Sequence, residues 1–449
     1  MTNGIVYLKI YYKIKKYWQV LFTAEVKSKE AVKKDSRDIK VNKNYQYKAN
    51  NSNNKKSKKN INNLITAVCV ILSVVCIFML AVNTNENNDR STLVGFSFME
   101  NGKFGFMDKS GNVIIPAIYD DRINYFSENL AAVRLAGKCG YVDKNGTQKI
   151  KTSFDSARTF SEKLAAVSKG GYFGYINTKG EFIIQPQFDD AYSFSEGLAA
   201  VKTGGAWGYI NKKGKFVINP QYGAVTKFSN GIAAVEKNGL WGIIDKNGKL
   251  IAEIEYQDID RTLEIPYILV KKDGYYGFIN KKGKVTIDFE YNFAGTFSDN
   301  LSRVMSGNNL YGYIDKSDKY KINAIYKDAS DFSEGLAFVA ANNADGNIEY
   351  SVINNNGKEI VSAQFTGYKN FKNGVAAVSV GGKWGVIDKK GRYIINPQYY
   401  AISDFESNLA IVRLGNKVGV INKKGDIVID IKYENNDSDN YYGLSMVME

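Results

Sequence analysis

Residues 194–222 read FSEGLAAVKTGGAWGYINKKGKFVINPQY. Three short apolar runs stand out in this stretch: Leu198 to Val201, Trp207 to Ile210 and Lys215 to Tyr222. Each is long enough for a strand and too short for a helix. Gly-containing residues join the first two runs, as in a hairpin loop. Asn211 to Gly214, NKKG, joins the second to the third. An Asx residue opens such a turn by accepting hydrogen bonds from the backbone ahead of it, and the closing glycine supplies a left-handed conformation. Pro220 lacks an N–H, which places the third strand at a sheet edge or ends it there. Gly208, inside a strand, costs stability, so another backbone or a ring is expected to pack against it.

The same pieces recur in order from about residue 93 onward. The glycine after the aromatic falls at Gly105, Gly140, Gly174, Gly208, Gly242, Gly277, Gly312, Gly385 and Gly419, with Ser351 in its place in the eighth copy. Successive intervals are 34 or 35 residues, once 39. The residue before it is aromatic except for Cys139 and Val418. Three positions after it stands an Asp or Asn in all ten copies, from Asp108 to Asn422. The turn glycine is kept in nine of the ten, with Asp318 replacing it in the seventh. A period in this range marks a repeat array in which each unit needs a neighbour to bury its apolar face. The repeat region opens on a first-strand copy, LVGFSFM at 93–99, and carries another, GLSMV, at 443–447. Eleven first strands thus accompany ten second and third strands. The expected fold is all-β: tandem three-stranded antiparallel repeats stacked as an open superhelical array, with a closed propeller-like ring as the alternative. Ten blades would exceed the usual four to eight.

The Trp–Gly units, such as KWGVIDKKGRYIINPQY at 383–399 with LAAV-like strands before them, resemble the WG-repeat family of bacterial proteins. The resemblance covers roughly residues 93–447. It implies a β-rich surface or envelope module that mediates interactions, and it brings no shared catalytic residues. Departures from the pattern are the Cys139 and Val418 copies, IDRTLEIPY in place of the FSEG connection, and a five-residue insertion around AANNADGNIEY.

Charge is unevenly distributed along the chain. Residues 1–60 hold 16 Lys and Arg against 4 acidic residues, so the other 389 residues carry only +2 of the net +14. Residues 1–24 mix Lys with aromatics, a pattern that suits a peripheral segment on anionic lipid or a small packed cluster. No DNA- or RNA-binding module is recognisable, so nucleic acid is not an expected partner. Residues 25–63 read as a basic disordered linker. Residues 64–82, LITAVCVILSVVCIFMLAV, are uncharged over a length that spans a ~30 Å hydrocarbon core. Lys55, Lys56, Lys58 and Lys59 precede the span and NTNENND follows it. The positive-inside rule then predicts a single-pass signal-anchor, with a cytoplasmic N-terminus, a short linker at 83–92 and the repeats at 93–449 outside the cell.

Histidine is absent. Three cysteines leave Cys139 without a partner outside the apolar run. The acids after Phe–Ser, namely Glu128, Glu162, Glu196 and Glu334, repeat as turn residues do, whereas an active site breaks symmetry. The turn Asx is followed by Lys in eight of ten copies, which disfavours calcium. No catalytic residue, metal site or cofactor is expected. The function expected is a non-enzymatic, membrane-anchored module that binds a protein or cell-envelope polymer. A transmembrane sensor reporting through the basic segment is the alternative, and a cell-wall hydrolase a distant one. Binding favours loops that break a repeat. The candidate residues are therefore Asn342, Asn343, Asp345, Asn347 and Glu349, and Asp258, Asp260 and Arg261.

Overall fold

In a computed structural model, residues 92–263, 265–342, 346–435 and 443–449 are described. The N-terminal segment, the linker, the expected span at 64–82, Asn343 and Asp345 lie outside them. Among the described residues no helix is long and apolar enough to cross a membrane. The repeats form one compact unit, Arg90–Glu449.

Each repeat folds into its own antiparallel sheet, here called a blade. In blade 4 the strand order is Asp190–Ala191, Leu198–Thr203, Ala206–Asn211 and Phe216–Tyr222, labelled a to d. Strands b, c and d are the three runs expected. Strand a is an addition. The FS residues do not merely connect repeats: Ser195 and Leu198 exchange backbone hydrogen bonds of 2.8 and 3.1 Å, so the stretch doubles back on strand b. Glu196 and Gly197 make the turn, with φ of 53° and 86°. Positive φ at both central residues is the type I′ hairpin turn, whose twist matches that of the flanking strands.

The Asx turn behaves as its sequence predicts. Asn211 Oδ1 accepts the N–H groups of Lys213 and Lys215, at 2.9 and 3.2 Å. The cost of Gly208 also has a cause. Trp207 pairs with Tyr222 and Tyr209 with Ile218, so strand d bulges around Pro220 between those pairs. A Cβ on Gly208 would stand 2.5 Å from the Ile218 carbonyl oxygen. The blade's own strand d is the close backbone.

The open array gives way to the ring. Strand Leu444–Met448 pairs antiparallel with Leu93–Glu100, with Phe96 opposite Met446 and Phe98 opposite Leu444. Blade 1 is thus completed by the C-terminal copy, in order Leu444–Met448, Leu93–Glu100, Lys103–Asp108, Val113–Tyr119. Blade 10 packs onto it through Ile411, Val418, Val420 and Ile429 against Phe96, Phe98 and Met107. The result is a ten-bladed β-propeller. Its eleventh first strand is the closure.

Candidate functional site

The repeated polar and aromatic residues fasten one blade to the next. Tyr209, fully buried, donates its hydroxyl to the Thr226 carbonyl of blade 5 at 2.8 Å. Its ring lies 4.8 Å from Phe228, and Tyr141–Phe160 and Tyr175–Phe194 repeat that distance. Such pairs contribute about 0.5–1.5 kcal/mol beyond the area they bury. Burial pushes the Tyr209 hydroxyl far above its ordinary pKa, which keeps it a donor. Ser195 Oγ donates to the Phe228 carbonyl at 2.7 Å.

The acids of the FSEG stretches belong to the same system. Glu196 accepts the Gly231 N–H of the next blade at 3.0 Å and pairs with Lys246 at 2.9 Å. Glu162 with Lys212, and Glu334 with Lys389, do likewise. Burial alone would raise the Glu196 carboxyl, but Lys246 and the Gly231 N–H outweigh it and hold the group below its usual range. These carboxylates are turn residues, as expected. They are also inter-blade clamps, a role that only the neighbouring blade reveals.

The two irregular loops fall on different blades. Asp258, Asp260 and Arg261 open blade 6. Arg261 stacks over Trp241 of blade 5 with 4.8 Å to the ring centroid and stands 3.7 Å from Asp258. Asp260 accepts the Thr262 N–H at 3.1 Å. Leu263 is fully buried in the core cluster of that seam. This loop therefore carries packing where the Phe–Ser hairpin is missing. Asn342 ends strand b of blade 8, Leu336–Asn342, and Asn347 and Glu349 lie where strand c, Ile348–Asn354, begins. The structure does not bring the two groups onto one blade.

A third departure opens a cavity of about 810 Å³ where the ring closes. Its walls come from blade 10 (Ser403, Ile411), blade 1 (Phe104, Leu444, Ser445, Met446), blade 2 (Asp120, Asp121, Arg122, Asn124, Ala132, Val133, Arg134, Cys139) and blade 3 (Ala157). The volume lies within the ~300–1,000 Å³ typical of small-ligand sites. Two features of blade 2 make the space. Cys139 stands where Trp207 stands in blade 4, and Asn124 where Tyr192 packs 4.6 Å from that indole. The segment leading to the hairpin is also one residue longer here: seven positions separate Tyr119 from Phe126, against six from Tyr222 to Phe228.

The polar wall is well supported. Arg134 donates to Asp121 at 2.7 Å and to the Gly137 carbonyl at 3.0 Å. The Gly137 N–H, with the Lys103 ammonium 2.7 Å away, holds the Asp120 carboxyl below the usual carboxylate range. Burial pushes the Cys139 thiol up, which makes it a poor nucleophile. Ser445 Oγ is buried with no hydrogen-bond partner among the described residues. No group of three His, Cys, Asp or Glu placed to hold a metal occurs among the described residues. The sequence does carry a signal for this site: Cys139 in the aromatic position and the 35-residue first interval.

Comparison with known proteins gives distant likenesses. No curated protein matches. A crystal structure of the eukaryotic initiation factor is 14% identical, covers 75% of this chain and 100% of its own, and has a TM-score of 0.41. BamB from Moraxella catarrhalis is 10% identical over 57% of this chain and 98% of its own, with a TM-score of 0.32. The WD40 β-propeller domain of Doa1 is 14% identical over 50% and 97%, with a TM-score of 0.25. None of these scores carries an argument about this chain. The sequence pattern of the repeat does: ten consecutive matches run from residues 104–139 to 419–449. The chain belongs to the family of WG containing repeat proteins.

Proposed function

We propose that this protein is a non-catalytic interaction module, held at the cell membrane by residues 64–82 and presenting its propeller outside the cell to a protein or envelope polymer. One observation carries the reading. The residues repeated from blade to blade are engaged in holding the ring together, as Tyr209, Ser195 and Glu196 are. Chemistry that differs between blades is left to the departures, and a rigid ring that displays a few irregular sites is a scaffold for recognition. The charge asymmetry around the apolar run supports the orientation.

The test uses the full-length chain. On intact cells, added protease should cleave the repeats, and complete protection would sink the orientation. Detergent-solubilised protein should co-sediment with purified envelope material or retain an envelope protein. Failure to retain either, in a sample that melts cooperatively, would overturn the interaction reading.

A further inference from the structure

In eight blades the residue two before the hairpin Phe, or its equivalent, donates its N–H to the carbonyl at the Ala200 position of strand b. Arg158 to Ala166, Tyr192 to Ala200 and Thr226 to Ala234 each do so at 2.9 Å. Blade 2 breaks the rule. Asp120 N–H reaches the Arg134 carbonyl at 2.8 Å, and Ser127 and Leu130 exchange bonds of 2.9 and 3.0 Å. Between them the extra residue bows the chain away, and the blade keeps only three strands. Apart from those bonds at its two ends, strand Leu130–Leu135 pairs only with Lys138–Asp143 among the described residues. The edge of Ala132 that faces away from that partner therefore has no backbone partner among the described residues. Ala166, Ala200 and Ala234 are buried, whereas Ala132 is half-buried and lines the cavity.

At Ala132 the carbonyl that strand a takes in the other blades faces an open groove, where the backbone N–H of a partner can take that place. An extended peptide completes a strand edge by backbone hydrogen bonds, and the flanking walls select its side chains. The walls are mixed: Ala132, Ala157, Ile411, Leu444 and Met446 suit small or apolar side chains, and Asp121, Arg122 and Arg134 line a charged side. No open aromatic face is offered for stacking a sugar ring, since the one aromatic among the lining residues, Phe104, is 8% exposed. Resting on the reading of the ring as an interaction module, we infer that this cavity binds an extended segment of a partner protein, which adds to blade 2 as its missing strand at Ala132.

The experiment selects binders from a random heptapeptide display library on the full-length protein in detergent, with Cys139→Trp as the counter-sample. That variant restores the aromatic of Trp207, Trp241 and Trp384 and fills the space. Peptides enriched on the wild type should bind Cys139→Trp at least tenfold more weakly and slow amide exchange at Ala132. Methylating the peptide nitrogen that faces the strand should abolish binding to the wild type, a readout independent of how the variant folds. Equal binding to Cys139→Trp, unchanged exchange at Ala132, or indifference to N-methylation would overturn the proposal. So would glycan fragments of the cell wall protecting Ala132 while peptides do not. Envelope material retained equally by wild type and Cys139→Trp would refute this site and leave the interaction reading standing.

Discussion

The seam between blades 4 and 5 and the seam between blades 1 and 2 are built from the same template and solve different problems. At the first, Tyr209 bonds to Thr226 and stacks on Phe228, Ser195 bonds to the Phe228 carbonyl, and Lys246 holds Glu196. At the second, Phe106 replaces the tyrosine and contacts Phe126 at 5.3 Å without a hydroxyl. Met448 accepts the Phe126 N–H at 2.8 Å, and Lys144 pairs with Glu449 much as Lys246 pairs with Glu196. The closing strand thus imitates the FSEG hairpin with residues from the other end of the repeat region. The regular seam spends its side chains on cohesion. The closing seam keeps the fastenings at its rim and gives up packing at Cys139, where the cavity forms.

That contrast can be broken or sharpened by substitution, most strongly at the stacked ring. Phe228→Ala should cost about 3–5 kcal/mol in urea denaturation, because it empties a fully buried site. A loss below about 1 kcal/mol would mean that the Tyr–Phe pair does not hold the seam. Gly208→Ala should cost about 1–3 kcal/mol, since its Cβ meets the Ile218 carbonyl oxygen. An unchanged melting temperature would sink the account of the Trp–Gly pair. Tyr209→Phe should cost about 0.5–1.5 kcal/mol. Blade 1 already carries Phe at this position, so the loss should leave the fold intact, and near-ultraviolet circular dichroism would check it.

Lys246→Ala should cost less than about 1 kcal/mol, because an ion pair this exposed is screened by solvent. The clamp should show itself better through pH. Glu196 and Glu334 titrate below their usual range in the folded state, so their contribution is present above the unfolded value of about 4.3. It is lost as pH falls through the folded value. Urea midpoints should therefore drop on acidification below about pH 4, and the Glu196→Gln, Glu334→Gln double variant should drop less. An equal drop would remove the clamps from the account.

Much of the blade is legible in the amino-acid sequence. The alternation of short apolar runs with Asx–Gly turns specifies strands b, c and d, because Asn211 and Gly214 have few other backbone options. Strand a is not legible. Only two of its residues, Asp190 and Ala191, pair as a ladder, and Glu196 at positive φ is not a residue that announces a type I′ turn. The role of Glu196 as a clamp is hidden because its partners, Gly231 and Lys246, lie in the next repeat. The loops at 258–264 and 342–349 stand out as irregular in the sequence. At the first of them Arg261 and Leu263 fill a seam between blades 5 and 6, a packing role that the sequence does not announce.

The sequence by itself determined the repeat, its strands, its turns and the pieces needed for closure, all set by local chemistry within some 35 residues. Tertiary structure alone decided that ten units close into a ring. Closure depends on the small rotation between neighbouring blades summed over the whole array, and no single repeat records that sum. It also decided that Leu444–Met448 fills the empty place beside Leu93–Glu100, and that Cys139, Ala132 and Ser445 meet around one cavity.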